Sequence, residues 1–355
     1  MLVLALYCQP LICRADEVTD TVNKNIDETL HDFYDTLPDG FESYGDPSKA
    51  GEELGIKRLL SSLILALKEE KSDLADFCLS LLGIALIYAL SSLAGSAIGN
   101  QVSRAVGIVS SAMLFERLIF LTKGVSEMLA EVNGFISAII PVTVSVNTIG
   151  ASPTTASTQA LGMGITLAAY SFISSEALTA MACVVFVLAA LGGIDPVFEK
   201  LSKSVKSVFT FFIGILTALM GATFSLQAVI ASSADSGVIR SAKYAISSSV
   251  PVVGGALSGA LGVVSGGVAY ARSVIGGGAV AVILTLALSP IVTLFAYRLC
   301  LKIGVFLSDV CALDTGELFS PFLSAIDILI AVASLTSIIY ICELIAFLKG
   351  GASLA

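Results

Sequence analysis

The chain has 355 residues, of which 56% are hydrophobic and 13% charged, and its mean hydropathy is +0.93. A soluble domain carries about 25% charged residues, so this composition excludes an ordinary cytosolic enzyme, and the high hydrophobicity excludes a disordered chain. The net charge of −9 sits wholly near the N-terminus: residues 1–76 hold 16 acidic and 7 basic side chains, whereas residues 77–355 hold 12 of each. The chain thus divides into a short acidic, water-facing segment and a long apolar body, which points to an all-α, polytopic helical membrane protein. The acidic balance also excludes nucleic acid as a partner, because phosphate backbones select basic faces.

In chain order, residues 1–15 (MLVLALYCQPLICRA) resemble a signal peptide, with the apolar run Leu2–Cys13 leading to a cleavage point at Cys13-Arg14-Ala15, although no Lys or Arg precedes the run. Residues 16–56 form the acidic segment, extracytoplasmic if the leader directs export. A short helix is predicted over Thr19–Tyr34, and Leu37-Pro38-Asp39-Gly40 marks a turn. Residues 57–72 set Leu59, Leu60, Leu63, Ala66 and Leu67 on one helical face between charged ends, the pattern of an amphipathic helix lying on the membrane or on the body of the protein.

Residues 73–355 read as a polytopic membrane domain of about 6–8 spans or half-spans. Four stretches are long enough to cross outright: Leu74–Ile98, Val208–Ala231, Val274–Tyr297 and Leu323–Leu348. The others are short or interrupted. Val106–Leu121 contains Glu116-Arg117, Gly134–Ile149 contains Pro141, and Ala160–Ser174 and Leu178–Leu191 are parted by Glu176. Such pieces are half-spans, re-entrant hairpins or tilted pairs, shapes that need protein or water to satisfy their open backbone groups. Asn147–Ser157 reads as a loop at the membrane face. The lysines Lys200, Lys203 and Lys206 favour a cytoplasmic position before Val208, and Arg298 with Lys302 would favour the cytoplasm after Tyr297.

No GxxxxGK[ST] is present, so ATP hydrolysis by a P-loop is not expected. The single histidine, His31, and seven scattered cysteines without a CxxC pair leave no basis for an HExxH or Cys/His zinc site, and neither metal nor cofactor is expected. An intramembrane aspartyl protease would need two facing carboxylates. Asp195 and Asp327 are the conceivable pair, but Asp195 lies in a Gly-Gly-Ile-Asp-Pro turn, and two scattered acids are a weak signal. Ionisable groups within apolar runs stand out more, because each costs about 3 kcal/mol to insert in a bilayer. The candidates are Glu116, Arg117, Glu131, Glu176, Asp327 and Glu343, together with Arg240 and Lys243. Either they line a pore or a polar subunit contact, or they pair locally and lie at membrane edges.

The stretch Arg240–Gly278 is rich in small residues. Gly255, Gly259, Gly262 and Gly266 recur on one helical face, with Gly254 beside them and Pro251 just upstream. Small residues let helix backbones approach closely, which is what drives association in lipid, so this stripe is read as a helix-packing and assembly surface. A flexible re-entrant loop is the alternative.

Arg240, Lys243-Tyr244-Ala245 and Val250-Pro251-Val252-Val253-Gly254-Gly255-Ala256-Leu257-Ser258 resemble the signature stretch of the stage III sporulation protein AE family. The layout over roughly residues 50–350 is similar too, from Lys57–Lys71 to Phe319-Ser320-Pro321-Phe322 and the last span. The resemblance implies a multi-pass protein of the mother-cell membrane around the engulfed forespore. Its partners would be other stage III sporulation A membrane proteins and a forespore membrane protein, and together they would form a channel-like, secretion-like assembly needed for endospore development. It brings no catalytic residues. The expectation is a non-enzymatic channel subunit, able to contact further copies of itself. A secondary transporter of a small solute is the alternative.

Overall fold

The computed structural model describes residues 20–21, 23–35, 64, 68, 71–93, 96–150, 164, 168, 170–173, 179–192, 197–198, 200–215, 218, 254–310 and 316–350, and every one of them is helical. Among the described residues five long helices make the body: α1 Lys71–Leu93, α2 Ser96–Gly150, α3 Thr179–Gly192, α4 Gly254–Val310 and α5 Gly316–Gly350. Residues 23–35 and 200–215 are helical as well.

Four helices among the described residues are long and apolar enough to cross a membrane, through Lys71–Leu90, Ala105–Val146, Val274–Leu307 and Phe319–Ile345. At 1.5 Å per residue the shortest of these, 20 residues, covers about 30 Å, the thickness of the hydrocarbon core. The 42 residues of α2 cover about 63 Å, so that helix must project beyond the core or lie steeply tilted. The outward faces are apolar: Leu79, Leu82, Leu86 and Leu90 on α1, and Phe295, Leu299, Ile303 and Phe306 on α4, are all exposed. Helices that are apolar on every side suit lipid and not water.

Inside, α2 buries Leu114, Leu118, Leu121, Val125, Met128, Val132, Phe135, Ile139, Val142 and Val146. The spacing alternates four and three residues, the seam by which one helix packs along others as in a coiled coil. An aromatic chain then ties all five helices. Phe77 of α1 packs on Tyr297 of α4 at 4.9 Å and on Phe322 of α5 at 6.0 Å. Phe322 meets Phe186 of α3 edge-on at 5.9 Å, and Phe186 stacks on Phe115 of α2 at 5.7 Å. Phe77 and Phe322 are fully buried.

Three sequence expectations are corrected. Val106–Leu121 and Gly134–Ile149 are not separate pieces but parts of α2, and Asn147–Gly150 continue that helix instead of opening a loop. Glu116 and Arg117 do not interrupt it, because Glu116 points outward from the buried seam. Pro141 stands inside α2 without ending it, and its ring lies on an exposed face, away from the packed side. Val274–Tyr297 does not stop at Arg298, since α4 runs to Val310. Of the remaining stretches, Leu178–Leu191 is described from Thr179 onward, where it lies within α3. Val208–Ala231 is described only over its first residues, and the 1–15 leader and most of residues 57–72 lie outside the described residues. The helix of residues 23–35 falls in the stretch expected to be helical and buries Ile26, Leu30 and Phe33 on one side.

Candidate functional site: charged groups within the membrane helices

Asp327 of α5 and Arg298 of α4 form an ion pair, with Nε 2.6 Å from Oδ1 and each side chain roughly one-third to two-fifths exposed (32% and 42%). The Nε–H is not aligned for a hydrogen bond to any partner, so the contact is one of charge. Its consequence is structural. Arg298 is neutralised by the neighbouring helix, and α4 can therefore remain apolar in effect past Tyr297. Glu343 of α5 is fully buried and is not left without a partner.

Glu131 leads to a different feature. It stands on α2 four residues from Glu127 and eight from Lys123, so the three share one face. Lys123 and Glu127 pair at 3.6 Å, both largely exposed. This face borders a groove of about 440 Å³ between α2 and α4. Across it, α4 presents Thr285, Ser289 and Thr293, again at four-residue spacing. Pro290 sits among them. A proline within a helix removes its own N–H and so releases the carbonyl four residues earlier, here that of Leu286, which also lines the groove. The buried seam of α4 lapses at this level. Ala287 and Leu294 are buried, but no residue from 288 to 293 is.

The structure brings Glu131 into this groove and joins Asp327 to Arg298, while Glu116 and Arg117 lie elsewhere on α2. Gly254, Gly255, Gly259, Gly262 and Gly266 fall within the helical backbone of α4. Arg240, Lys243, Pro251, Glu176 and Asp195 lie outside the described residues. Sequence reasoning missed Lys123 and Glu127, although their spacing with Glu131 was a visible signal. It used Arg298 only for topology. Among the described residues no three His, Cys, Asp or Glu side chains gather as a metal site would require. Thr122 Oγ1 of α2 and Cys183 Sγ of α3 lie 3.7 Å apart, and Cys78, Cys183, Cys300 and Cys342 are unpaired thiols, each half-buried.

These features define a class: an all-helical, multi-pass membrane protein whose helices carry paired and groove-lining charges. The comparison with known families is specific. The model for stage III sporulation protein AE matches residues 41–347, and the chain belongs to that family. No curated protein and no solved structure matches the chain.

Proposed function

We propose that this protein is a non-enzymatic, multi-pass subunit of the assembly that connects mother cell and forespore during endospore development, set in the mother-cell membrane. The observation that carries the reading is the family match over residues 41–347, which covers α1 to α4 and all but the last three residues of α5. Family membership supplies sporulation, and the four membrane-length helices supply an integral membrane protein. The channel role is the step beyond them. In this reading a body of about six to eight spans or half-spans packs against other stage III sporulation A proteins, a forespore membrane partner and further copies of itself. The stripe Gly255, Gly259, Gly262 and Gly266, adjoined by Pro251 and Gly254, makes the close helix contacts. The acidic N-terminal segment, exported behind a cleaved leader, meets partners between the two membranes.

A test lies in where the protein must be made. In a strain lacking the gene, expression confined to the mother cell should restore late forespore gene expression and spores. Restoration by forespore-confined expression alone would contradict the reading. The groove beside Pro290 favours a secondary transporter as the second reading, since broken helices with nearby carboxylates suit solute sites. Solute uptake by the purified protein alone in vesicles would support it.

A further inference from the structure

Two facts place the α2–α4 groove inside the bilayer. A crossing takes about 20 residues, and any 20-residue window within Val274–Leu307 contains residues 288–293. Ser289, Pro290 and Thr293 therefore lie at hydrocarbon depth however α4 is set along the membrane normal. The face of α2 with Glu127 and Glu131 lines the same groove.

Lipid cannot fill such a groove. Ionisable groups at this depth need a partner or water, and Glu127 and Glu131 are both exposed, Glu127 being paired among the described residues with Lys123 of the same face. We propose that the groove is a hydrated vestibule within the membrane, which admits water and small cations and disfavours anions.

The chemistry of the walls fits. Two carboxylates and three hydroxyl side chains line the groove, so every polar side-chain group except the Lys123 ammonium presents oxygen. The charged face carries a net charge of −1, and a negative wall in a low-dielectric surround concentrates cations and repels anions. A volume of about 440 Å³ holds on the order of ten waters at ~30 Å³ each. With no third acidic, His or Cys side chain gathered among the described residues, the cation stays hydrated rather than chelated. The groove stays open because the α4 seam lapses around Pro290 and because Gly124 faces it without a side chain. A Cβ added at Gly124 would meet nothing within 4 Å. The inference rests on the spanning of the membrane and not on any partner, so it fails or stands separately from the assembly.

Cysteine accessibility tests it. Ser289→Cys, with Leu284→Cys and Phe295→Cys as lipid-facing sites at neighbouring depth, would be treated in the full-length protein in opened native membranes. The probes are a cationic and an anionic methanethiosulfonate, both membrane-impermeant, with labelling read peptide by peptide by mass spectrometry. Only a hydrated thiol ionises and reacts, so Ser289→Cys should label at least about tenfold faster than either lipid-facing site. The cationic reagent should be preferred, and Glu127→Gln with Glu131→Gln should bring the two rates towards parity. Gly124→Leu, which adds bulk where nothing is in contact, should slow labelling at Ser289→Cys. Labelling no faster than at Leu284→Cys and Phe295→Cys would show a dry groove and overturn the proposal. So would equal rates with both reagents in the otherwise native chain, or labelling indifferent to Gly124→Leu.

Discussion

Arg298 shows how a charge is kept in an apolar helix. Alone it would end the membrane stretch of α4; held 2.6 Å from Asp327 of α5, it ties two spanning helices together instead. Removing one partner leaves the other uncompensated. Asp327→Asn should destabilise the α4–α5 contact by about 1–2 kcal/mol, between the values for exposed and buried pairs. The check is the amount of protein surviving in membranes and its resistance to detergent. The reciprocal exchange, Arg298→Asp with Asp327→Arg, should recover most of that loss, and failure of the double variant to exceed the singles would contradict a direct pairing. Asp327 and Glu343 were legible in the sequence because carboxylates in apolar runs are conspicuous. The neutralisation of Arg298 was not, because its partner lies 29 positions away on another helix.

At the scale of elements, α2 is the plainest case of a pattern that charge concealed. Read by hydropathy it breaks at Glu116-Arg117 and at Pro141. Read by its 4–3 spacing it is one seam from Leu114 to Val146, and the structure follows the seam. The reason is physical: a helix is continued by its backbone bonds and its buried face, and charges on the opposite face do not interrupt either. The register of α2 against α3 can be checked directly. Thr122→Cys should form a disulfide with the native Cys183 under mild oxidation, given the 3.7 Å approach of the present side chains. A cross-link to Cys183 from Lys123→Cys in preference to Thr122→Cys would show a different register. The groove on the far side of α2 was legible only in part. Glu131 stood out, but the facing row on α4 consists of hydroxyl residues and a proline, which look unremarkable until two helices set them opposite each other.

For the whole molecule, the fold class was readable from composition alone, whereas the arrangement depended on side chains that only the folded chain brings together. The aromatic run Tyr297, Phe77, Phe322, Phe186 and Phe115 joins five helices, and Phe322 is its midpoint. Phe322→Ala should cost about 3–5 kcal/mol, as for other large-to-small changes at fully buried aromatics, and should lower the melting temperature of the purified protein more than Phe295→Ala on the exposed face. An equal effect at both positions would contradict the packing described. The outer surface of this bundle is largely apolar, with a few exposed charges such as Glu116 and Lys302, while Glu343 is buried, Arg298 and Asp327 are paired, and Glu131 borders a groove, an arrangement suited to a membrane and to neighbours within it. The most direct measurement of the central claim is a cross-linking pull-down from membranes of sporulating cells, with a tag at the C-terminus. The account predicts recovery of a large complex containing several other stage III sporulation A membrane proteins. Recovery of a lone monomer or dimer under the same conditions would contradict it.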